Sequence, residues 1–426
     1  MAQVLSIGEL IQSYRHKRDM TLSQLAELTG LHKGTVSKVE NGDVKRPEYK
    51  TIRPLVDALQ IPLETLVELH ITVEKRAEAL LFVLQDVIQH SGTAELVTKV
   101  GRKFLESPSD DSDALVERLY AFAGHVENKE IKLALYQVIV DYSRDYGIMP
   151  FLARGMFQVY LIERDDFTRL RKVYDNGKHI VMYAQFLSLE DRIMLYYKLG
   201  IHAYNLFLYS QSIDLLIPII EEAKSDNEYY IYALGILRGA YFRIGEYDKS
   251  EYYTHLYSQY DVPYIKENTL LMNAMLDAKK GKISRALAQF TSLLKTCDQN
   301  IALQSLNHLM ILYLREHGID EIEGNLLSYP INPQQISDKN PIMISQLAEY
   351  YYHRAEYFII VGEFDRGVTE FLESAFHFSR VDDVRQEKQC IQQIIQSHLT
   401  QNIPLTMPIM EKLAEYYKRT DWEGLK

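Results

Sequence analysis

The chain has 426 residues, 47% of them hydrophobic, and a formal net charge of −11; it is long enough for two or three ordinary domains, or for one small domain joined to a long repeat array. Two cysteines exclude a disulfide framework. Without an apolar run of about 18 residues or a basic-then-apolar start, neither a membrane span nor a signal peptide is expected, and the expected location is cytoplasmic. The acidic balance excludes the whole chain as a polyanion-binding surface, but the charge is uneven. The first 72 residues hold nine Lys or Arg and nine Asp or Glu, so the rest carries the entire deficit.

In chain order, Ser6 and Glu9 form a capping-box pair and Ile7, Leu10, Ile11 and Tyr14 share one helical face, which predicts a first helix over about 6–18. Thr21 and Gln24 repeat the box. Leu22, Leu25, Ala26 and Leu28 are expected on the buried side of a second helix, and Gly30 stands where a left-handed residue turns the chain. In the third helix Val36 and Val39 point inward, leaving Lys33, Thr35, Ser37, Lys38 and Asn41 outward, with Gly34 removing bulk. Short hydroxyl side chains and lysines suit the major groove of DNA, where the helix must come close and meet guanine edges or phosphates. After Asn41-Gly42 ends that helix, Lys45, Arg46, Lys50 and Arg53 are placed for further phosphate contacts. Ile52, Leu55, Val56 and Leu59 predict a fourth helix with Pro54 in its first turn, and Leu63, Leu66 and Val67 a fifth.

The helix order and the string Leu25-Ala26, Gly30, Val36-Ser37, Val39-Glu40 and Gly42 resemble the lambda-repressor-like helix-turn-helix domain over about residues 6 to 69. The resemblance implies a five-helix DNA-binding domain. It places Lys33 and Gly34 at the start of the recognition helix, Ser37 and Lys38 in its groove-facing middle, and Asn41 on a phosphate. Leu22 departs from the family, which often carries Gln there.

We divide the chain into a DNA-binding domain (1–70), a linker or first coupling helix (71–92) and a repeat domain (93–426). Leu80, Leu81, Leu84, Val87 and Ile88 mark the helix of the middle segment, read either as a coupling helix or as the first core helix of the array. Beyond it, helix follows helix, and tyrosine is abundant at 31 copies. Tyr241-Phe-Arg-Ile-Gly-Glu-Tyr-Asp248 and Phe358-Ile-Ile-Val-Gly-Glu-Phe-Asp365 are openly similar. Turn positions at 207, 245, 281, 318 and 362 are separated by 38, 36, 37 and 44 residues, the last step lengthened by the loop from Ser328 to Pro341. A poorer copy sits at Asp165-Asp166-Phe167.

These units resemble tetratricopeptide repeats, with a period near their length of about 34, over about residues 150 to 400. The resemblance implies an all-α chain in which the five-helix domain is followed by a right-handed superhelical solenoid, the first helix of each pair lining a concave groove. That groove would collect Tyr197, Tyr204, Asn205, Tyr232, Arg243, Asn268, Lys279, His308, Arg315, Glu349, Tyr352, His353 and Glu356. Such a set suits an extended peptide, because asparagine grips backbone N–H and C=O together while arginine or lysine holds a carboxylate.

Catalytic signals are poor: there is no HExxH, Walker-type loop or Gly-x-Ser-x-Gly, and Ser109–Asp113 reads as a loop with an N-cap. His353 and Glu356 lack a third ligand. No enzyme activity, cofactor or metal is expected. A helix-turn-helix head on a tetratricopeptide-like array resembles the RRNPP group of peptide-sensing transcriptional regulators, in its NprR-like or arbitrium-receptor-like forms. The resemblance implies quorum sensing through a short signalling peptide, a homodimer on an operator with two half-sites about 34 Å apart, and no membrane. Two alternatives stand beside it: a response-regulator phosphatase or sequestering protein of the same architecture, and a regulator whose repeats bind a protein partner.

Overall fold

The regular elements of this computed structural model, which describes residues 6–90, 92–316, 318–336 and 340–423, are all helical. None of the described helices is long and apolar enough to cross a membrane. The chain forms two units, one running through Glu163 and including Met182–Leu187, the other made of Arg164–Val181 and the residues from Ser188 onward.

The first unit opens with α1 (Ile7–Lys17), α2 (Leu22–Thr29) and α3 (Lys33–Glu40). Both expected capping boxes are present, Ser6 with Glu9 and Thr21 with Gln24, and Gly30 turns the chain at φ +69°. Ile11, Leu25 and Val36 are fully buried at the centre of the three helices. Leu28 departs from expectation and is exposed. The buried arc of α2 is centred on Leu25 and Ala26, and at 100° per residue Leu28 falls outside it.

Helix α4 (Tyr49–Ala58) is followed by α5 (Leu63–Val73). Pro54 lies inside α4, not in its first turn, because the helix begins earlier than its apolar spacing suggests. Tyr49 starts it: the buried ring lies against His70 and Phe82, and its hydroxyl donates to Asp86 Oδ2 at 2.7 Å. The missing N–H of Pro54 leaves the carbonyl of Lys50 without a helical donor, which an exposed position tolerates.

From α5 the chain enters α6 (Ala77–Gln89), α7 (Ala94–Leu105), α8 (Ser112–Gly124), α9 (Lys129–Tyr146) and α10 (Met149–Glu163). One hydrophobic core runs from Ile7 through Leu66, Leu84 and Phe104 to Tyr142, so no core boundary separates the head from these helices. At the α5–α6 joint the Glu74 carboxylate accepts from the backbone N–H of Lys75 and Arg76 and from the Arg76 guanidinium. Those bonds, led by the Arg76 side chain, pull its pKa to about 2. A carboxylate held below its unfolded value near 4.5 adds stability above that value, and the contribution disappears as pH falls toward 2. Acid melts of the first unit are therefore expected to steepen between pH 4.5 and 2, and Glu74→Gln to flatten the dependence in that window; equal slopes would remove this joint as a source of stability.

The second unit begins with α11 (Leu170–Gly177) and continues as α12 (Leu189–Asn205), α13 (Tyr209–Glu222), α14 (Glu228–Arg243), α15 (Tyr247–Tyr257), α16 (Pro263–Lys279), α17 (Ile283–Leu293) and α18 (Gln299–Arg315). A single turn, α19 (Ile319–Glu321), runs into a π turn, and α20 (Pro341–Ile360), α21 (Phe364–Ser379), α22 (Val384–Gln401) and α23 (Met407–Glu423) complete it. Part of the loop expected between Ser328 and Pro341, residues 337 to 339, lies outside the described residues. Asp165-Asp166-Phe167 forms no helix pair of its own: Asp166 caps a short 3-10 turn.

Helix pairs joined by one kind of turn account for the repeat spacing. Leu208, Glu246, Lys282, Gly318 and Glu363 each donate a backbone N–H five residues back, to Ala203, Tyr241, Asp277, Tyr313 and Phe358. This closure requires a left-handed residue just before the donor, and Phe207, Gly245, Gly281 and Gly362 are left-handed. At the fourth turn the residue before the donor lies outside the described residues. Gly245 stands at φ +85° with nothing near its missing Cβ, so Gly245→Ala is expected to cost only the backbone penalty of about 1–2 kcal/mol. A denaturant melt measures it, and an unchanged midpoint would contradict the turn geometry. Within this unit the backbone N–H of Arg171, on α11, donates to Asp382 Oδ2, between α21 and α22, at 3.0 Å.

Candidate functional site

On α3, Val36 and Val39 are buried and Lys33, Lys38 and Asn41 exposed; Gly34, Thr35 and Ser37 are half-buried. Lys33 and Lys38, and Lys45 and Arg46 beyond the helix, are exposed, and among the described residues none of the four forms a salt bridge. Asn41 Nδ2 lies 3.4 Å from Ser37 Oγ. His32, which the spacing did not single out, caps the helix: its Nδ1 accepts the Gly34 N–H at 3.1 Å. Behind this surface Arg15 Nε and Nη2 donate to the two Glu40 oxygens at 2.7 and 2.8 Å, and Nη1 donates to the Met20 carbonyl at 2.7 Å. Arg15 and Glu40 are both more than nine-tenths buried, so this pair fixes the end of α3 on α1.

Two of the basic residues expected on phosphates make contacts within the first unit. Arg53 is engaged internally, Nε donating to Asp86 at 2.8 Å and Nη1 to Asp57. Its position one turn after Tyr49 aims it at α6. Lys50 is exposed but lies over the Phe82 ring, 4.8 Å from its centroid.

In the array, the first helices of five successive pairs, α12, α14, α16, α18 and α20, line one cavity of about 100 Å³. Of the residues expected in a groove, Tyr204, Asn205, Arg243, Asn268, His308 and Glu349 line it. Tyr352 and His353 line an adjoining cavity of about 180 Å³, together with Arg243, His308 and Glu349. Arg243 bonds to Tyr204, faces Glu349 and stays open to the cavity. His308 stacks on Phe290 at 5.4 Å, and burial pushes its pKa down to about 3, so it is neutral at physiological pH. The buried Asn205 Oδ1 has no hydrogen-bond partner.

The other expected groove residues lie outside the two cavities. Tyr197 and Tyr232 pack on each other at 5.6 Å, and both contact Tyr229. Lys279 and Arg315, last residues of their helices, are exposed. Glu356 pairs with His353 at 2.9 Å. Arg238 lines the main cavity and went unnoticed in the sequence. It stands eight residues before the N–H donor of its turn, where the other repeats carry Gly200, Ala274, Met310 and Ala355, none of them charged, and that contrast was its available signal. The two thiols are poor nucleophiles: burial pushes Cys297 up to about 11 and Cys390 up to about 12.

The geometry at the N-terminus is that of a helix-turn-helix domain, and residues 6–69 match the helix-turn-helix domain family. Over 61 residues the chain is 39% identical to the HTH-type transcriptional repressor RghR of Bacillus subtilis (strain 168), a match covering 14% of this chain and 45% of that protein. Over 59 residues it is 37% identical to the uncharacterized HTH-type transcriptional regulator RghRB of the same strain, covering 14% and 42%. The chain thus spans less than half the length of either relative. The crystal structure of Bacillus thuringiensis PlcR in complex with the peptide PapR7 and DNA aligns with 91% of this chain and 99% of that one, at 12% identity and a TM-score of 0.30. So loose a superposition adds nothing to the reading below.

Proposed function

We propose that the chain is a sequence-specific DNA-binding transcriptional regulator, switched by a short peptide bound among the first helices of its array. The single observation that carries the DNA half is α3, a helix with a buried valine seam and an outer face of unpaired lysines, short hydroxyl groups and an exposed asparagine. Lys45 and Arg46 follow as phosphate contacts. The peptide half is supported by five helices converging on one cavity with Asn205, Arg243, Asn268 and His308 in its wall.

Those cavities, at about 100 and 180 Å³, are smaller than the roughly 300–1,000 Å³ of established ligand pockets. Peptide entry therefore widens the array, and a change shared by successive repeats is what could alter the disposition of two DNA-reading heads. Asn205→Ala and Asn268→Ala are expected to weaken the peptide response while sparing basal DNA binding. Titration of full-length variants on a fluorescent operator checks this, and an unchanged response in both would remove these two side chains from the site.

The reading includes a homodimer, since an operator with two half-sites needs two heads. Support comes from α22, α23 and the turn between them, where Ile395, Leu399, Leu405, Met407 and Met410 are exposed, apolar surface of the kind that marks contacts between proteins. Leu399→Glu with Met407→Glu is expected to convert the dimer to monomer in analytical ultracentrifugation; a dimer unaffected by both would place the interface elsewhere.

A further inference from the structure

Arg238 is 7% exposed and, among the described residues, forms no ion pair. Its partners are neutral. Nη1 donates to the Asn268 carbonyl at 2.7 Å, Nη2 makes a long contact of 3.3 Å to Asn268 Oδ1, and the guanidinium lies 4.7 Å from the Tyr257 ring centroid. Nε is buried with no partner. A buried charge with neutral partners is costly, and one whose donors are incompletely used is costlier still.

Repeat geometry sharpens the anomaly. Ser250 Oγ donates to the Arg238 carbonyl at 2.7 Å as Ser212 Oγ donates to the Gly200 carbonyl at 2.8 Å, so the two positions are structurally equivalent. A position that the other repeats fill with an apolar residue, Gly200, Ala274, Met310 or Ala355, here carries a large cation. The glycines on either side of it leave room for tyrosines: a Cβ on Gly239 would come within 2.8 Å of the Tyr204 hydroxyl, and one on Gly235 within 3.3 Å of the Tyr257 ring. The other arginine of the cavity, Arg243, already faces Glu349.

We propose that Arg238 anchors a carboxylate of the bound peptide. This rests on the peptide-receptor reading given above. An entering carboxylate replaces the long Asn268 Oδ1 contact at Nη2 and takes up the unused Nε–H, giving the two-pronged pairing in which guanidinium and carboxylate are matched. Asn268 is then free to bond the peptide backbone.

The test is affinity selection by the full-length chain from a randomised heptapeptide pool, synthesised once with a free C-terminal carboxylate and once as the carboxamide, with retained peptides read by mass spectrometry. Wild type is expected to enrich carboxylate-bearing peptides about tenfold or more. Enrichment confined to the free-acid pool identifies the C-terminus as the source, and enrichment of Asp- or Glu-containing peptides in both pools identifies a side chain; both support the anchor. Arg238→Met is expected to abolish the preference and Arg238→Lys to retain part of it, with circular dichroism showing the helices intact. The acid-against-amide comparison needs only the wild-type chain, so it decides the matter even if a variant fails to fold. Selection of peptides without regard to any carboxylate, or a preference unchanged in a folded Arg238→Met chain, overturns the anchor and leaves the peptide groove standing. Retention of no peptide from either pool overturns the groove and the anchor together.

Discussion

Replacing Lys33 and Lys38 together by alanine is expected to reduce operator affinity about thirtyfold or more, since each well-formed base-edge pairing contributes about 1–3 kcal/mol. Both side chains are exposed on α3, so helicity and melting temperature are expected to remain at wild-type values. Peptide affinity is expected to be unchanged as well, because both residues lie far along the chain from those that line the cavity and in a different unit. A mobility shift at fixed salt reads the loss. Full retention of affinity would show that another surface reads the DNA; a parallel loss of peptide binding would contradict the separation of the two activities.

The second large effect lies beneath that surface. Glu40→Ala leaves the Arg15 guanidinium buried without its counter-ion, and breaking a buried pair in this way costs about 3–5 kcal/mol. Arg15 and Glu40 join α1 to the end of α3, so the loss is expected in the first unit, with DNA binding failing at temperatures where wild type still binds. The double variant Arg15→Met with Glu40→Leu removes both charges and is expected to recover most of the stability, as apolar replacements of buried pairs commonly do. Chemical denaturation of the single and double variants measures this. If the double variant were as unstable as the single, the cost would lie in packing rather than in the stranded charge.

What could be read from the sequence followed from signals that are local. Ser6 with Glu9 and Thr21 with Gln24 are pairs three residues apart whose meaning depends only on helix geometry, and both capping boxes are present. Gly30, Gly245, Gly281 and Gly362 are turn positions for the equally local reason that they adopt positive φ. Departures occur where a distant segment decides. Tyr49 starts α4 early because Asp86, His70 and Phe82 receive it, and the same Asp86 diverts Arg53 from the surface. Neither event is visible in residues 45 to 60.

The same distinction governs the cavity. Tyr204, Asn205, Arg243, Asn268 and His308 could be placed by counting back from the turns, because each lies on the first helix of a pair. Tyr197 and Tyr232 lie on the same first helices but pack on each other and on Tyr229, a contact that helical periodicity does not specify. Arg238 was hidden for the opposite reason: counting assigns it to a packing position, and although its charge stands out among the apolar residues of the other repeats, its neutral surroundings are what show that packing does not account for it. Side chains whose significance depends on what is missing around them emerge only from the folded structure.

On the proposed function, the head reads DNA and a peptide in the array controls it. The most direct measurement is a mobility shift of the full-length chain on the DNA upstream of its own gene at fixed salt, with and without synthetic C-terminal fragments of neighbouring small open reading frames. A shift that one peptide strengthens or abolishes, and that Lys33→Ala with Lys38→Ala removes, is the expected result. A shift indifferent to every peptide, including peptides retained by the array in the selection above, would contradict the account.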